Sequence, residues 1–326
     1  MSYKSIDGLM RHLRNNGINI SGSRQKRQLT NTGYFHGYKG YRFFKTASQR
    51  IPFTSYDEVY ATIQYDSHIK ALLYPKVMYI ETAIKGIAIE CILSKVKSEN
   101  IQDFYNKAVM SYNTAPSGLP VDKKKAIQLR KLNLQNTVQQ YLSKAYKNDN
   151  PKIAHFYNNM SYSGVPIWAL IEIMTFGDIG FMLSCLNVDI RESISYRIGL
   201  DLSVDTNREL VYKYIYIIKD LRNAIAHNAV VFDTRFNNMS PSKAMKRCLE
   251  KEVGLSYVNF KSIGDFIILI SYYLKKLKVP KTEIKNFVRE FEKITTDYRN
   301  AVSSTVYSKV VHPDLYSRLS VLKNYL

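Results

Sequence analysis

Acidic residues are scarce in this chain: 27 Asp and Glu stand against 47 Lys and Arg, for a formal charge of +20. An excess of that size repels itself unless an anion lies close by, so nucleic acid or an acidic membrane is the natural partner. Compositional drift toward Lys, Asn, Ile and Tyr would also raise the basic count, and the 26 tyrosines point to some drift. Drift does not by itself hold Asp and Glu so low, which favours nucleic acid. Cysteine is nearly missing. Cys91, Cys185 and Cys248 are scattered, with neither pairing nor zinc spacing, so a disulfide scaffold and a zinc ribbon are excluded and a reduced, cytoplasmic, metal-free chain is expected. Long hydrophobic runs are missing as well. Phe266 to Leu274 falls far short of the roughly 20 residues that a membrane span needs. The stretch 166–186 is interrupted by Glu172 and Asp178, which suits a buried helical hairpin, so no membrane partner is expected. The opening residues carry no apolar h-region, so no secretory signal is expected. No GxGxxG or GxxxxGK segment is present, which leaves a nucleotide phosphate loop unsupported and no cofactor expected.

What is there suits a helical protein. Hydrophobic residues make up 45% of 326 positions, enough for a core in one large domain or two small ones. A short amphipathic helix is predicted over Ser5 to Asn16, with Gly17 stopping it. Ser21 to Arg50 differs in kind. Here Arg24, Lys26, Arg27, Lys39, Arg42 and Lys45 alternate with Tyr34, Phe35, Tyr38, Tyr41, Phe43 and Phe44 around Gly22, Gly33, Gly37 and Gly40. Cations beside planar rings suit single-stranded RNA, which needs its phosphates neutralised and its bases stacked. A glycine-hinged loop with its rings tucked into a core is the other reading.

From Ser55 the pattern is helical almost throughout. Ser55 and Glu58 form a capping box, Pro75 marks a boundary between two helices ending near Leu73 and Val96, and the region from Asn100 to Gly118 reads as broken. Lys123, Lys124 and Lys125 open a helix that ends near Tyr146. These lysines are either a solvated face or contacts to RNA backbone. Pro166 begins a further helix, and others are expected near 190–196, 241–253, 259–277, 281–298 and 312–326. The expected division is an RNA-contacting arm over residues 1–54 and a helical domain over 55–326, with a C-terminal helical extension.

One constellation carries chemistry. A capping box at Thr206 and Glu209 opens a helix whose buried stripe runs Leu210, Tyr214, Ile217, Leu221, Ile225. Its far end holds Arg222, Asn223, His227 and Asn228. Asn223 and His227 share a face, being four apart, and Arg222 projects roughly 140° from His227. Metal-free RNA cleavage needs a proton acceptor, a proton donor and a cation on the phosphate. Histidine transfers protons near neutral pH, arginine clamps phosphate oxygens, and asparagine orients either. The same residues are also ordinary at a helix C-terminus, where they complement the dipole and adopt a left-handed cap.

Arg222-Asn-Ala-Ile-Ala-His227 resembles the R-x4-6-H signature of HEPN ribonucleases. The wider chain resembles the AbiD/AbiF group of abortive-infection proteins. The resemblance runs through Leu29 to Tyr38, Tyr56 to Asp66, Glu81 to Lys85 (lysine where the group has arginine), Pro166 to Trp168 with Glu172 and Phe176-Gly177, and Leu221 to Asn228. It implies an all-α, HEPN-like helical bundle, toxicity during phage infection, RNA cleavage, and restraint by a structured non-coding RNA. It assigns the catalytic role to Arg222, Asn223 and His227. HEPN sites generally oppose two such helices, and one motif per chain implies a homodimer. Glu81 and Lys85 read as an i,i+4 helix pair, and Glu172 as structural. The competing reading is a non-catalytic RNA-binding protein of the same shape. A nucleotide-modifying toxin component has no nucleotidyltransferase motif to support it.

Overall fold

The computed structural model describes residues 4–159, 161–162, 164–237 and 239–326. The first three residues of the opening segment, and of the expected arm, lie outside the described residues. In chain order the helices are α1 (Ile6–Asn15), α2 (Gly22–Thr32), a π-helical turn (Gly33–Lys39), α3 (Tyr56–Val96), α4 (Ile101–Lys107), α5 (Val121–Lys147), α6 (Pro151–Asn158) and α7 (Ile167–Ile173). They continue as α8 (Phe176–Cys185), α9 (Val188–Ile198), α10 (Leu210–Ala226), α11 (Lys243–Val253), α12 (Ile263–Lys276), α13 (Lys281–Ala301), α14 (Ser304–Val310) and α15 (Leu315–Tyr325). The fold is all-α, and among the described residues only isolated β-bridges occur. No described helix is long and apolar enough to cross a membrane.

Local chemistry explains most of the boundaries. Ser5 caps α1 by accepting from the Gly8 amide at 3.2 Å. Before α3 the expected capping box is present: Ser55 Oγ accepts from the Glu58 amide, while Glu58 Oε2 accepts from the Ser55 and Thr54 amides. Three expectations need correction. Pro75 lies inside α3 and does not end it. A proline within a helix forgoes one backbone hydrogen bond, and here Leu73, Val77, Ile80 and Ile84, all buried, bind the residues on either side of it to apolar surroundings. Thr206 does not cap α10. Asp205 does, its Oδ1 accepting from the Glu209 and Leu210 amides at 2.7 and 3.1 Å, because Arg208 turns the chain through φ 56° before the helix begins. The stretch after Asn100 is not wholly broken, since Asn100 caps α4.

The contacts group the chain into two compact units. The first comprises residues 1–78, 220–242 and 249–326, so the described part of the expected arm falls within it. Its core is built on α12, whose residues from Ile263 to Leu274 are all buried. A helix apolar on every side needs neighbours all round, and α13 and α15 supply two of them. A side chain at Gly264 would collide with Leu315, so glycine is what lets α15 approach. The second unit comprises residues 79–219 and 243–248. There α5 packs against α6, α7 and α8. Gly180 does for α8 what Gly264 does for α12, since an added Cβ would meet Ile215 of α10.

Candidate functional site

The end of α10 is a left-handed cap. Asn228 takes φ 52°, its amide donates to the Ile225 carbonyl, and the Ala229 amide donates back to the Ala224 carbonyl at 2.8 Å. This is the Schellman arrangement, with Asn228 in the position usually held by glycine. Asparagine tolerates that conformation better than other side-chain-bearing residues. His227 therefore sits at the junction where the helix stops, exposed to solvent. One turn earlier the half-buried Arg222 guanidinium donates to Asn223 Oδ1 at 3.3 Å. The structure thus brings Arg222, Asn223 and His227 to one helix end.

Behind that end runs a buried polar relay. Asp66, wholly buried on α3, accepts at Oδ1 from the Val231 and Phe232 amides, each at 2.8 Å. Its Oδ2 accepts from the Tyr41 hydroxyl at 2.7 Å and pairs with the Lys70 ammonium at 2.7 Å. Burial pushes the Tyr41 phenol well above its ordinary value, and the Asp66 carboxylate pushes it further the same way, so Tyr41 stays a donor. Lys70 then donates to Asn228 Oδ1 at 2.9 Å, and Asn228 Nδ2 lies 3.1 Å from His36 Nε2. An ammonium has donors only, so Lys70 fixes which end of the Asn228 amide faces it. The amide nitrogen is left facing His36, an exposed residue of the π-helical turn.

The residues expected to hold RNA have varied surroundings. Arg24 pairs with Asp57 and Lys26 with Asp7, both at 2.8 Å on the surface, and Arg27 is exposed. Lys39 stands over the Tyr34 and Phe35 rings, 5.5 and 4.7 Å from their centroids. Tyr34 stacks on Tyr38, and burial raises its phenol above the ordinary value. Tyr38 and Tyr41 are themselves buried, so neither ring face is open to a base in this conformation, whereas Phe35 is 72% exposed. Arg42 is half-buried. Lys45 donates its ammonium to the Lys261 carbonyl at 2.7 Å, and burial lowers its pKa from the ordinary value. Lys123, Lys124 and Lys125 lie in the first turns of α5, in the second unit, the outer two exposed.

Other segments of the resemblance take structural positions. Glu81 and Lys85 form the expected i,i+4 pair at 3.3 Å, and Lys85 also donates to the Met174 carbonyl. Lys85 thus reaches both the Glu81 carboxylate and a backbone carbonyl through its single ammonium, a point charge where arginine would present a fork. Glu172 meets Lys152 at 3.5 Å on the surface, while Trp168 donates its indole N–H to Glu99. Sequence reasoning placed Asn228 at this helix end but missed its partners His36, Asp66 and Lys70. The signal for two of them was available: Asp66 and Lys70 interrupt the apolar stripe Val59, Ile69, Leu73 with charge, which a buried helix face tolerates only when the charges are paired.

Residues 27–233 match the family model described as Abi-like protein. No curated protein and no solved structure matches the chain.

Proposed function

The chain belongs to the Abi-like protein family, a membership that supports an abortive-infection role, and from it we propose that the chain is a HEPN-type, metal-independent endoribonuclease of anti-phage defence. The observation that carries this reading is the grouping at the α10 terminus: a half-buried guanidinium held by Asn223, and an exposed imidazole where the helix ends. Arg222 would neutralise the phosphate being cut, His227 would transfer a proton, and Asn223 would hold the guanidinium in place. The +20 charge supplies the attraction for RNA, both as substrate and as a structured non-coding RNA that restrains the protein. A homodimer that faces two α10 ends across a two-fold axis would bring two such motifs together.

A second reading is favoured by one observation: the amide of Asn228, next to His227, is engaged on both sides by Lys70 and His36. In that reading the segment is a helix cap in a non-catalytic RNA-binding protein. The two readings separate in one experiment. Purified protein, stripped of nucleic acid, is incubated with assorted RNAs in EDTA, and the ends are analysed. The ribonuclease reading expects 2′,3′-cyclic phosphate ends from the wild type and a fall of about 10²-fold or more with His227→Ala. Intact RNA from both proteins, with binding unchanged, would refute it.

A further inference from the structure

One cavity in the first compact unit includes none of Arg222, Asn223 and His227. It measures about 130 Å³ and is lined by residues of that unit alone. Its floor is apolar and closed, since Tyr65, Phe232, Val310 and Leu315 are all buried. Tyr65 is held by stacking on Tyr298, with centroids 4.4 Å apart, and Phe232 by the bond from its amide to Asp66. Phe44, half-buried, forms a wall 6.2 Å from the Phe232 ring and has the Lys45 ammonium 5.5 Å from its centroid. The rim is polar and exposed, with Lys261, Ser308, Lys309 and His312. His312 is held by Asp314, so the two lysines supply the rim's positive charge.

A concave apolar site edged by a few polar groups is the usual form of a small-ligand site, and the lining here narrows the ligand. Rings on the floor and wall suit a planar aromatic group, and lysines at the rim suit an anion beside it. A nucleotide has both, in its base and its phosphate. Size narrows it further. A cavity of roughly 150 Å³ takes a single benzene ring, so about 130 Å³ takes one six-membered ring and not the fused pair of a purine.

Two hydroxyls on the lining fit the edge of such a ring. Ser262 Oγ accepts from the Gly264 amide at 3.2 Å, which leaves its own proton to donate. Ser308 Oγ donates to the Thr305 carbonyl at 3.2 Å, which leaves its lone pairs to accept. A pyrimidine edge carries both carbonyl oxygens and N–H groups, and so answers one donor and one acceptor. Resting on the RNA-binding part of the proposed function, we propose that this cavity holds the base of one unpaired pyrimidine nucleotide, with its phosphate on Lys261 and Lys309. The site gives a place to part of the basic, aromatic stretch. Tyr38 and Tyr41 are buried, whereas Phe44 of the same stretch lines a cavity of base size.

The test uses decamers of abasic spacer phosphates that carry one 2′-O-methyluridine, one 2′-O-methyladenosine or no base at the centre. Binding is read by fluorescence anisotropy across a salt series. The three strands have the same charge, and the 2′-O-methyl group blocks attack on phosphorus, so cleavage does not enter. The uracil strand is expected to bind about 10-fold tighter than the baseless strand, and the adenine strand within about twofold of the baseless one. Ser308→Trp fills the cavity from its exposed edge and is expected to erase the uracil advantage while leaving the baseless strand unchanged. Phe44→Leu keeps an apolar wall without a stacking face and is expected to cut the advantage about threefold, which serves if the tryptophan disturbs folding. Lys261→Gln with Lys309→Gln is expected to weaken the uracil strand and to lower its salt slope by about 0.7, the value for one phosphate on a single strand. Free uridine 5′-monophosphate separates two sources of the same chemistry. Displacement of the uracil strand at millimolar concentration assigns the site to free nucleotides, and retention assigns it to a nucleotide within RNA, the site standing in both. Equal binding of the three strands, or a uracil advantage that survives Ser308→Trp and Phe44→Leu, overturns the inference and leaves the RNA-binding reading standing. If neither these strands nor natural RNA binds, both fall.

Discussion

Asp66 occupies a place where a carboxylate needs every bond it has. It is wholly buried, and four donors converge on it: two backbone amides, the Tyr41 hydroxyl and the Lys70 ammonium. Taking two charges out of water is costly, and removing one partner of a buried pair strands the other. Asp66→Ala is therefore expected to lower stability by about 3–5 kcal/mol, read as a shift in the urea midpoint. The paired replacement of Asp66 by Leu and Lys70 by Met should recover much of that loss in stability while abolishing the orientation of Asn228. If the single variant is as stable as the wild type, the relay is not holding the segment after α10. Arg222, Asn223 and His227 were legible in the sequence because they lie within six residues of one helix. The relay was not. Its members come from residues 36, 41, 66, 70 and 228, and nothing in local spacing says that a turn following α2 will meet the end of α10.

Helix starts show the same division between local and distant causes. The capping box at Ser55 and Glu58 was readable because both halves lie within four residues. The start of α10 was not, because the residue that caps it, Asp205, is itself placed by Ser195 of α9 at 3.1 Å and by the left-handed Arg208. Pro75 misled for a related reason: propensity marks a boundary, and the buried neighbours on each side override it. Even the legible box has a distant member, since Glu58 Oε1 accepts from the Ser303 amide at 3.0 Å. Burial alone would raise the Glu58 carboxyl, but hydrogen bonds from Ser303 and Thr54 outweigh it and hold the group below the usual carboxylate range. A carboxylate depressed in the folded state contributes stability above its unfolded value, near pH 4.3, and that contribution is lost as pH falls through the folded value. Glu58→Gln, which cannot ionise, is thus expected to be less stable than the wild type at pH 6 and to lose less of its remaining stability between pH 5 and pH 3. Urea midpoints at these pH values check it. Parallel acid profiles for the two proteins would remove Glu58 from the account.

For the molecule as a whole, the charge of +20 was legible from composition, but composition does not say which cations are already engaged. Arg24 faces Asp57, Lys26 faces Asp7, and Lys45 is bound to the Lys261 carbonyl. Exposed ion pairs such as the first two are worth little, about 0–1 kcal/mol each, so a phosphate can displace their carboxylates, whereas the half-buried Lys45 is less free to turn. Binding of single-stranded RNA should accordingly weaken steeply with salt, the slope counting the phosphates neutralised at roughly 0.7 each. Replacing Arg24, Lys26 and Arg27 together by glutamine is expected to weaken binding and to reduce the slope by up to about 2. The structure adds a counterpart of opposite sign. Asp7→Asn with Asp57→Asn removes the competing carboxylates and leaves the cations in place, so it should tighten binding at low salt. Fluorescence anisotropy across a salt series measures both variants in the same way. Tightening by the second and weakening by the first would locate the contact on α2 and its neighbours; salt-insensitive binding in the wild type would rule out the basic arm as an RNA contact, because a surface that recognises phosphate must release counterions when it does so.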